Sequence, residues 1–284
     1  MWTPHGSTIP PLGRDRINWK HPFARKFLIG AWWNHTIARG QSPAFSTLNE
    51  DVIPRYGSLK PRLCSTSGSS RAYNAEGGAY YCSSTTHYIG FGADPIPAAQ
   101  VTICLVRRKT DTTFRNPGTC FCITNSFNPA DWIYRCNVYL PFSDGNAYWD
   151  YGGVVSGTTR LQVGSLSYPT TRTDKWILTA GPRGMAMWQN GIKVGSHTTA
   201  SPGRTVDASR SWFLGFGQTG GSDEGDIQEF NYVAVYDDQW DDAKCRAWSA
   251  EPYAHLYNDE FSTRQISFPV AAGIGSFAGM DSWA

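Results

Sequence analysis

Apolar residues along this chain fall in short runs separated by Gly, Pro, Asn or Asp, a pattern of strands and tight turns. The densest series lies between Lys175 and Trp240. Trp176-Ile-Leu-Thr-Ala180 reads as a strand, breaks at Gly181-Pro-Arg-Gly184 and resumes as Met185-Ala-Met-Trp-Gln189. Asn190-Gly191 then predicts a hairpin into Ile192-Lys-Val194, because a two-residue I′ turn needs positive φ at both central positions. Trp212 to Phe216 and Gly225 to Tyr236 supply two more strands.

Upstream, strands are expected at Phe27–Trp33, Ala79–Cys82, Tyr88–Phe91, Thr119–Thr124, Trp132–Tyr139 and Asn146–Tyr151. Gln100–Val106 is apolar enough for a central strand covered on both faces. Helical spacing occurs at Asp237–Trp248, where Trp240, Ala243, Ala247 and Trp248 share a face and Asp237 or Asp238 can cap. Pro252 closes that helix. Proline and glycine break both termini, yet Trp2, Trp19, Phe23, Tyr257, Phe261 and Phe268 are large apolar anchors, so each end reads as an arm that docks. The expected organisation is an N-terminal arm at 1–24, a β domain at 25–250 and a C-terminal arm at 251–284.

Composition agrees: 29 glycines, 17 prolines and 14% aromatic residues suit many short strands. A formal net charge of +2, with Lys and Arg dispersed, argues against nucleic acid. The run Arg107-Arg-Lys109 reads as a solvated strand end. No stretch approaches the ~20 apolar residues of a membrane span, and residues 1–6 lack the basic-then-apolar order of a secretory leader. Seven cysteines leave at least one unpaired, and without a CxxC pair they read as reduced and structural. Tyr148, Trp149 and Trp188 are candidates for stacking on sugar rings, against the alternative that they fill the core.

The ordered series resembles the concanavalin A-like lectin/glucanase superfamily in its laminin G-like form, over residues 27 to 250. The matching pieces are Ala79 to Phe91, Val101 to Val106, Trp176 to Ala180, the Asn190-Gly191 hairpin, Gly225 to Glu229 and Val233 to Tyr236. The resemblance implies an all-β, two-sheet antiparallel jelly-roll sandwich with one short C-terminal helix. It also suggests a calcium site at the sandwich rim, for which Asp94, Asp223 and Asp226 are the acidic candidates, although a hard cation wants six to eight oxygens. Glu224-Gly-Asp-Ile-Gln-Glu229 is similar to the catalytic strand of the superfamily's retaining glucanases. Gly225 and Gln228 depart from that motif, so the stretch reads as a closing strand and no enzyme is expected.

A narrower resemblance, to such domains in tailed-bacteriophage virions, rests on Ile17 to Arg25, Tyr148 to Gly153 and Glu251 to Tyr257. It implies a surface structural protein of the particle, on capsid or tail, assembled in the host cytoplasm, oligomeric and held to other virion proteins by its arms. The alternative is a lectin-like module that recognises a host surface glycan.

Overall fold

The computed structural model describes residues 21–32, 52–54, 63–67, 70–74, 77–85, 87–91, 94, 96–115, 118–123, 129–200, 203–210, 212–215 and 225–256. Trp2, Trp19, Tyr257, Phe261 and Phe268 of the arms, with Asp223 and Glu224, lie outside them.

In chain order the strands begin with β1 (Phe27–Trp32), β2 (Val52–Pro54), β3 (Leu63–Ser67), β4 (Ser70–Asn74), β5 (Gly77–Cys82) and β6 (Tyr88–Phe91). They continue with β7 (Val101–Lys109), β8 (Thr119–Cys122), β9 (Cys136–Tyr139), β10 (Ala147–Tyr151) and β11 (Arg160–Val163). The last are β12 (Asp174–Gly181), β13 (Gly184–Gln189), β14 (Ile192–His197), β15 (Trp212–Leu214) and β16 (Gln228–Tyr236), followed by helix α1 (Asp242–Ala250). Nine strands form one sheet along the path β14-β13-β12-β7-β16-β1-β2, with β5 and β4 branching from β16, and seven form the other, β11-β10-β9-β8-β15-β6-β3. The named strand pairs are antiparallel, as the all-β expectation required.

Alternation builds the core. Ile103, Leu105, Trp176, Leu178, Val233 and Val235 from the larger sheet meet Val138, Trp149, Leu161 and Trp212 from the smaller. The opposite face of the larger sheet is not left to solvent. Cys104, Ile177, Trp188, Tyr232 and Tyr236 pack under Phe23, Trp240, Cys245, Trp248 and Tyr253. A sheet covered on both faces carries little polar alternation, which explains the unbroken apolar run in β7. At the β13–β14 turn Asn190 and Gly191 take φ values of 52° and 83°, as the hairpin signal demanded.

Three expectations are corrected. The chain from Pro129 to Tyr134 is a 3₁₀ helix, so only Cys136–Tyr139 of the expected Trp132–Tyr139 strand is extended. Helix α1 starts later than its spacing suggested and is capped by Asp241, whose carboxylate accepts from the Lys244 N–H. Before it, Thr102 ties the chain across the sheet by donating to the Asp238 carbonyl and accepting from the Trp240 N–H. The buried face is therefore Cys245, Trp248 and Ser249, while Ala243 and Ala247 are exposed. Phe23, read as an arm anchor that docks, stacks on Trp240 at 5.8 Å within its own domain.

The third correction concerns the basic run. Strand β7 continues through Lys109, and Arg107 and Lys109 are only 2% and 3% exposed. Asp226 lies between them, accepting from Arg107 Nη2 at 3.2 Å and from Lys109 Nζ, while Lys109 also reaches Asp111 at 2.6 Å. Only Arg108 points outward, toward Glu229. Asp226 and Glu229 are more than a hundred residues away in sequence, so a local charge run gave no sign of them.

Cys82, Cys104, Cys120, Cys122, Cys136 and Cys245 are free and buried. Burial pushes the Cys120 and Cys245 thiols up to about 12, which suits packing rather than reactivity.

Candidate functional site

Two of the three aromatics proposed for sugar stacking are core residues. Trp149 points between the sheets with no exposed surface, its indole N–H donating to the Thr179 carbonyl at 3.3 Å. Trp188 lies on the covered face of the larger sheet, with Lys193 Nζ and the Arg246 guanidinium 5.2 and 5.4 Å from its ring. Neither presents a ring face to solvent. Tyr148, on the outer face of β10, does reach the surface.

The carboxylates singled out in the sequence are also committed elsewhere. Glu229 forms a two-point pair with Arg108, at 2.7 and 3.1 Å. Asp94 is held by Arg204 and by the Ile96 N–H, and Asp226 by Arg107 and Lys109. Asp94 and Asp226 thus share no partner. Among the described residues no group of three or more His, Cys, Asp or Glu is placed to hold a metal.

What remains open lies at the edge of the smaller sheet. Asp150 sits on the outer face of β10, fully buried, and two arginines converge on it. Arg135 donates Nε to Oδ2 at 2.8 Å, and Arg160 donates Nε to Oδ1 at 2.6 Å and Nη2 to Oδ2 at 2.8 Å. The bidentate grip fixes the Arg160 plane 5.0 Å above the Tyr148 ring. Tyr148 in turn donates its hydroxyl to Asp144, which also accepts from the Asn146 N–H at 2.9 Å and from Asn146 Nδ2 at 2.8 Å. Slight burial raises the Asp144 pKa, but these donors outweigh it and hold the carboxyl below its ordinary value. Burial and the Asp144 contact both push the Tyr148 hydroxyl up.

Beside this network is a depression of ≈ 370 Å³ walled by Asn146, Ser156, Arg160, Gln162, Gly164 and His197. It sits where the edge strands of the two sheets meet. A Cβ on Gly195 of β14 would lie 2.4 Å from Val163 Cγ2 of β11, so this position needs glycine for the edges to close. The lining offers a guanidinium, two amides, a hydroxyl and an imidazole on rigid strands and short turns, with a tyrosine ring alongside. That set makes directional hydrogen bonds to a neutral polyol without needing an ionised ligand.

Of the residues in this arrangement the sequence pointed to Tyr148 alone. Arg160, Gln162 and His197 were missed, although Arg160-Leu-Gln-Val163 alternates polar and apolar as a half-buried edge strand should.

No family model matches the chain, and no curated protein matches its sequence. Solved structures do match its fold. Domain 4 of an extracellular arabinanase from Geobacillus stearothermophilus, solved with arabinotriose, is 15% identical, with a TM-score of 0.50 over 64% of this chain and 82% of that one. Trypanosoma rangeli sialidase with sialic acid is 12% identical, with a TM-score of 0.53 over 82% of this chain and 34% of that one. The ligand-binding domain of botulinum neurotoxin serotype D, with N-acetylneuraminic acid, is 10% identical, with a TM-score of 0.52 over 79% and 50%. This chain thus spans about half of the toxin domain and a third of the sialidase. At such identities the likeness is one of β-sandwich fold.

Proposed function

We propose that this chain is a non-enzymatic carbohydrate-binding module whose contact surface is the depression beside Arg160. The observation that carries the reading is the state of Arg160, locked by Asp150 and laid over the Tyr148 ring at the margin of an open polar depression. Its cost of ordering falls in folding rather than in binding, which favours recognition of a flexible polyol. Binding without bond cleavage is supported by the nearby carboxylates: Asp150 is engaged by Arg135 and Arg160, and the donors around Asp144 hold its carboxyl below its ordinary value, which does not suit a proton donor. The sugars carried by the arabinanase and toxin domains support the same class of ligand, by analogy of fold.

On a glycan array the chain is expected to show saturable binding. Arg160→Ala, which also releases Tyr148, is expected to weaken it at least tenfold, about 1.4 kcal/mol, with an unchanged far-ultraviolet spectrum. Equal affinity in wild type and variant would remove this surface from the reading.

We infer a setting as well: display of the module on a bacteriophage particle. Support comes from the sequence resemblance at Ile17 to Arg25 and Glu251 to Tyr257 and from one packing feature. The 3₁₀ turns Pro22–Ala24 and Ala254–Leu256 lie together, with Phe23 edge-on to His255 at 6.4 Å, so both ends of the domain leave from one place. Mass spectrometry of purified particles is expected to find the full chain, and to lose it when residues 1–20 or 257–284 are deleted. Particles that retain both truncated forms would exclude anchoring by the arms.

A further inference from the structure

A second depression, of ≈ 420 Å³, opens on the far side of β14 and is walled by Thr179, Arg183, Lys193, Ser196, Thr198 and the start of α1. His197 lines this one and the first alike. It closes β14, which pairs with β13 and ends the larger sheet, so the strand between the two depressions is an edge. Each volume falls in the ~300–1,000 Å³ range of small-molecule sites.

His197 itself is incompletely satisfied. Both ring nitrogens are covered and neither makes a hydrogen bond, although the Thr199 backbone lies near enough to act on the ring. Burial lowers its pKa, with the Thr199 backbone acting the other way, and this favours the neutral ring, which has one donor and one acceptor. A covered polar group without a partner costs free energy that a ligand can return. A sugar hydroxyl both donates and accepts, and a turn about the side-chain torsions brings a ring nitrogen to it.

We propose that the ligand is an extended oligosaccharide that crosses β14, with sugar units in both depressions and His197 as the contact between them. This inference rests on the carbohydrate-binding reading and adds to it the class of ligand: an internal stretch of a linear chain rather than a terminal sugar. Lys193 is the marker of the far end. It pairs with Asp242 at 2.7 Å across the second depression, and it does not line the first.

The test is calorimetric titration of the full chain with two ladders of one to six units, α-1,5-linked arabino-oligosaccharides and α-2,8-linked oligosialic acid. Affinity is expected to rise at least tenfold from two to five units in the ladder that binds. His197→Ala should abolish that rise, so that the five-unit chain binds no more tightly than the two-unit one. Lys193→Ala should reduce the affinity of the five-unit chain only. Binding that is independent of length, or a rise that persists in His197→Ala, overturns the two-depression site and leaves the glycan reading standing. No binding at any length in either ladder overturns both. His197→Gln, which restores a donor and an acceptor, should recover part of the rise, whereas a loss caused by misfolding would lower every length alike.

Discussion

Replacing Asp226 with Ala is expected to cost about 3–5 kcal/mol of folding stability, the range for stranding a buried charge, and to lower the melting temperature by roughly 10 °C. The reason lies in the end of β7. Arg107 and Lys109 are almost without solvent contact, and Asp226 is the carboxylate they share. Asp111 still reaches Lys109 when Asp226 is gone, but Arg107 is left with the Leu140 carbonyl and an Nε that has no partner. Removing the whole group is a different matter. Arg107→Met, Lys109→Met and Asp226→Leu together are expected to come within about 2 kcal/mol of wild type, because the desolvation of three charges is then avoided. Chemical denaturation of the two variants checks both statements. A loss below about 1 kcal/mol for Asp226→Ala would mean that the cluster is hydrated.

Acid should loosen the domain through His255. Its ring is fully buried, with Nε2 2.9 Å from the Tyr232 hydroxyl, Nδ1 unpartnered, and the rings of Phe23 and Phe27 against it. Burial lowers its pKa to about 3, with the nearby His21 adding to the effect. The folded pKa lies below the unfolded value of about 6.5, so the unfolded chain binds more protons between those limits. The stability that neutral His255 contributes is complete above pH 6.5 and is lost as pH falls toward 3. The slope is at most about 1.4 kcal/mol per pH unit, which amounts to roughly 3 kcal/mol between pH 6.5 and 4. His21 shifts in the same direction, and the hydroxyls of Tyr232 and Tyr236 do not titrate in this window. His255→Gln is expected to be less stable at pH 7 and to have a flatter profile, so that the two curves converge in acid. Parallel curves for wild type and variant would refute the assignment. Because the ring sits where both ends of the domain come together, the first region to open in acid should be residues 21–24 and 253–256.

The fold was more legible than the site, for reasons that particular residues make plain. Asn190-Gly191 announces itself because few other pairs accept positive φ twice. Val101 to Val106 reads as central because neither face of that strand meets water. The same double cover hides function. Trp188, on the covered outer face of the larger sheet, looks no different in sequence from Trp149, which points between the sheets, because a sheet buried on two sides loses the alternation that would mark an outer tryptophan. Arg107-Arg-Lys109 looks solvated until the strand carrying Asp226 is laid beside it. The depression was out of reach for another reason. Asn146, Arg160 and His197 come from three separate parts of the chain and meet only because the sandwich brings the edges of its two sheets together at Gly195 and Val163. The polar positions of β11 were the one usable sign.

The most direct test of the carbohydrate-binding reading is to locate a bound sugar. Isotope-labelled full chain would be titrated with whichever of arabinotriose, N-acetylneuraminic acid or the strongest array glycan it holds most tightly, and the backbone amide shifts followed to saturation. Saturable changes concentrated at residues 144–148, 156–164 and 195–198 are the predicted result. Changes centred elsewhere on the sandwich, or none at saturating sugar, would contradict it.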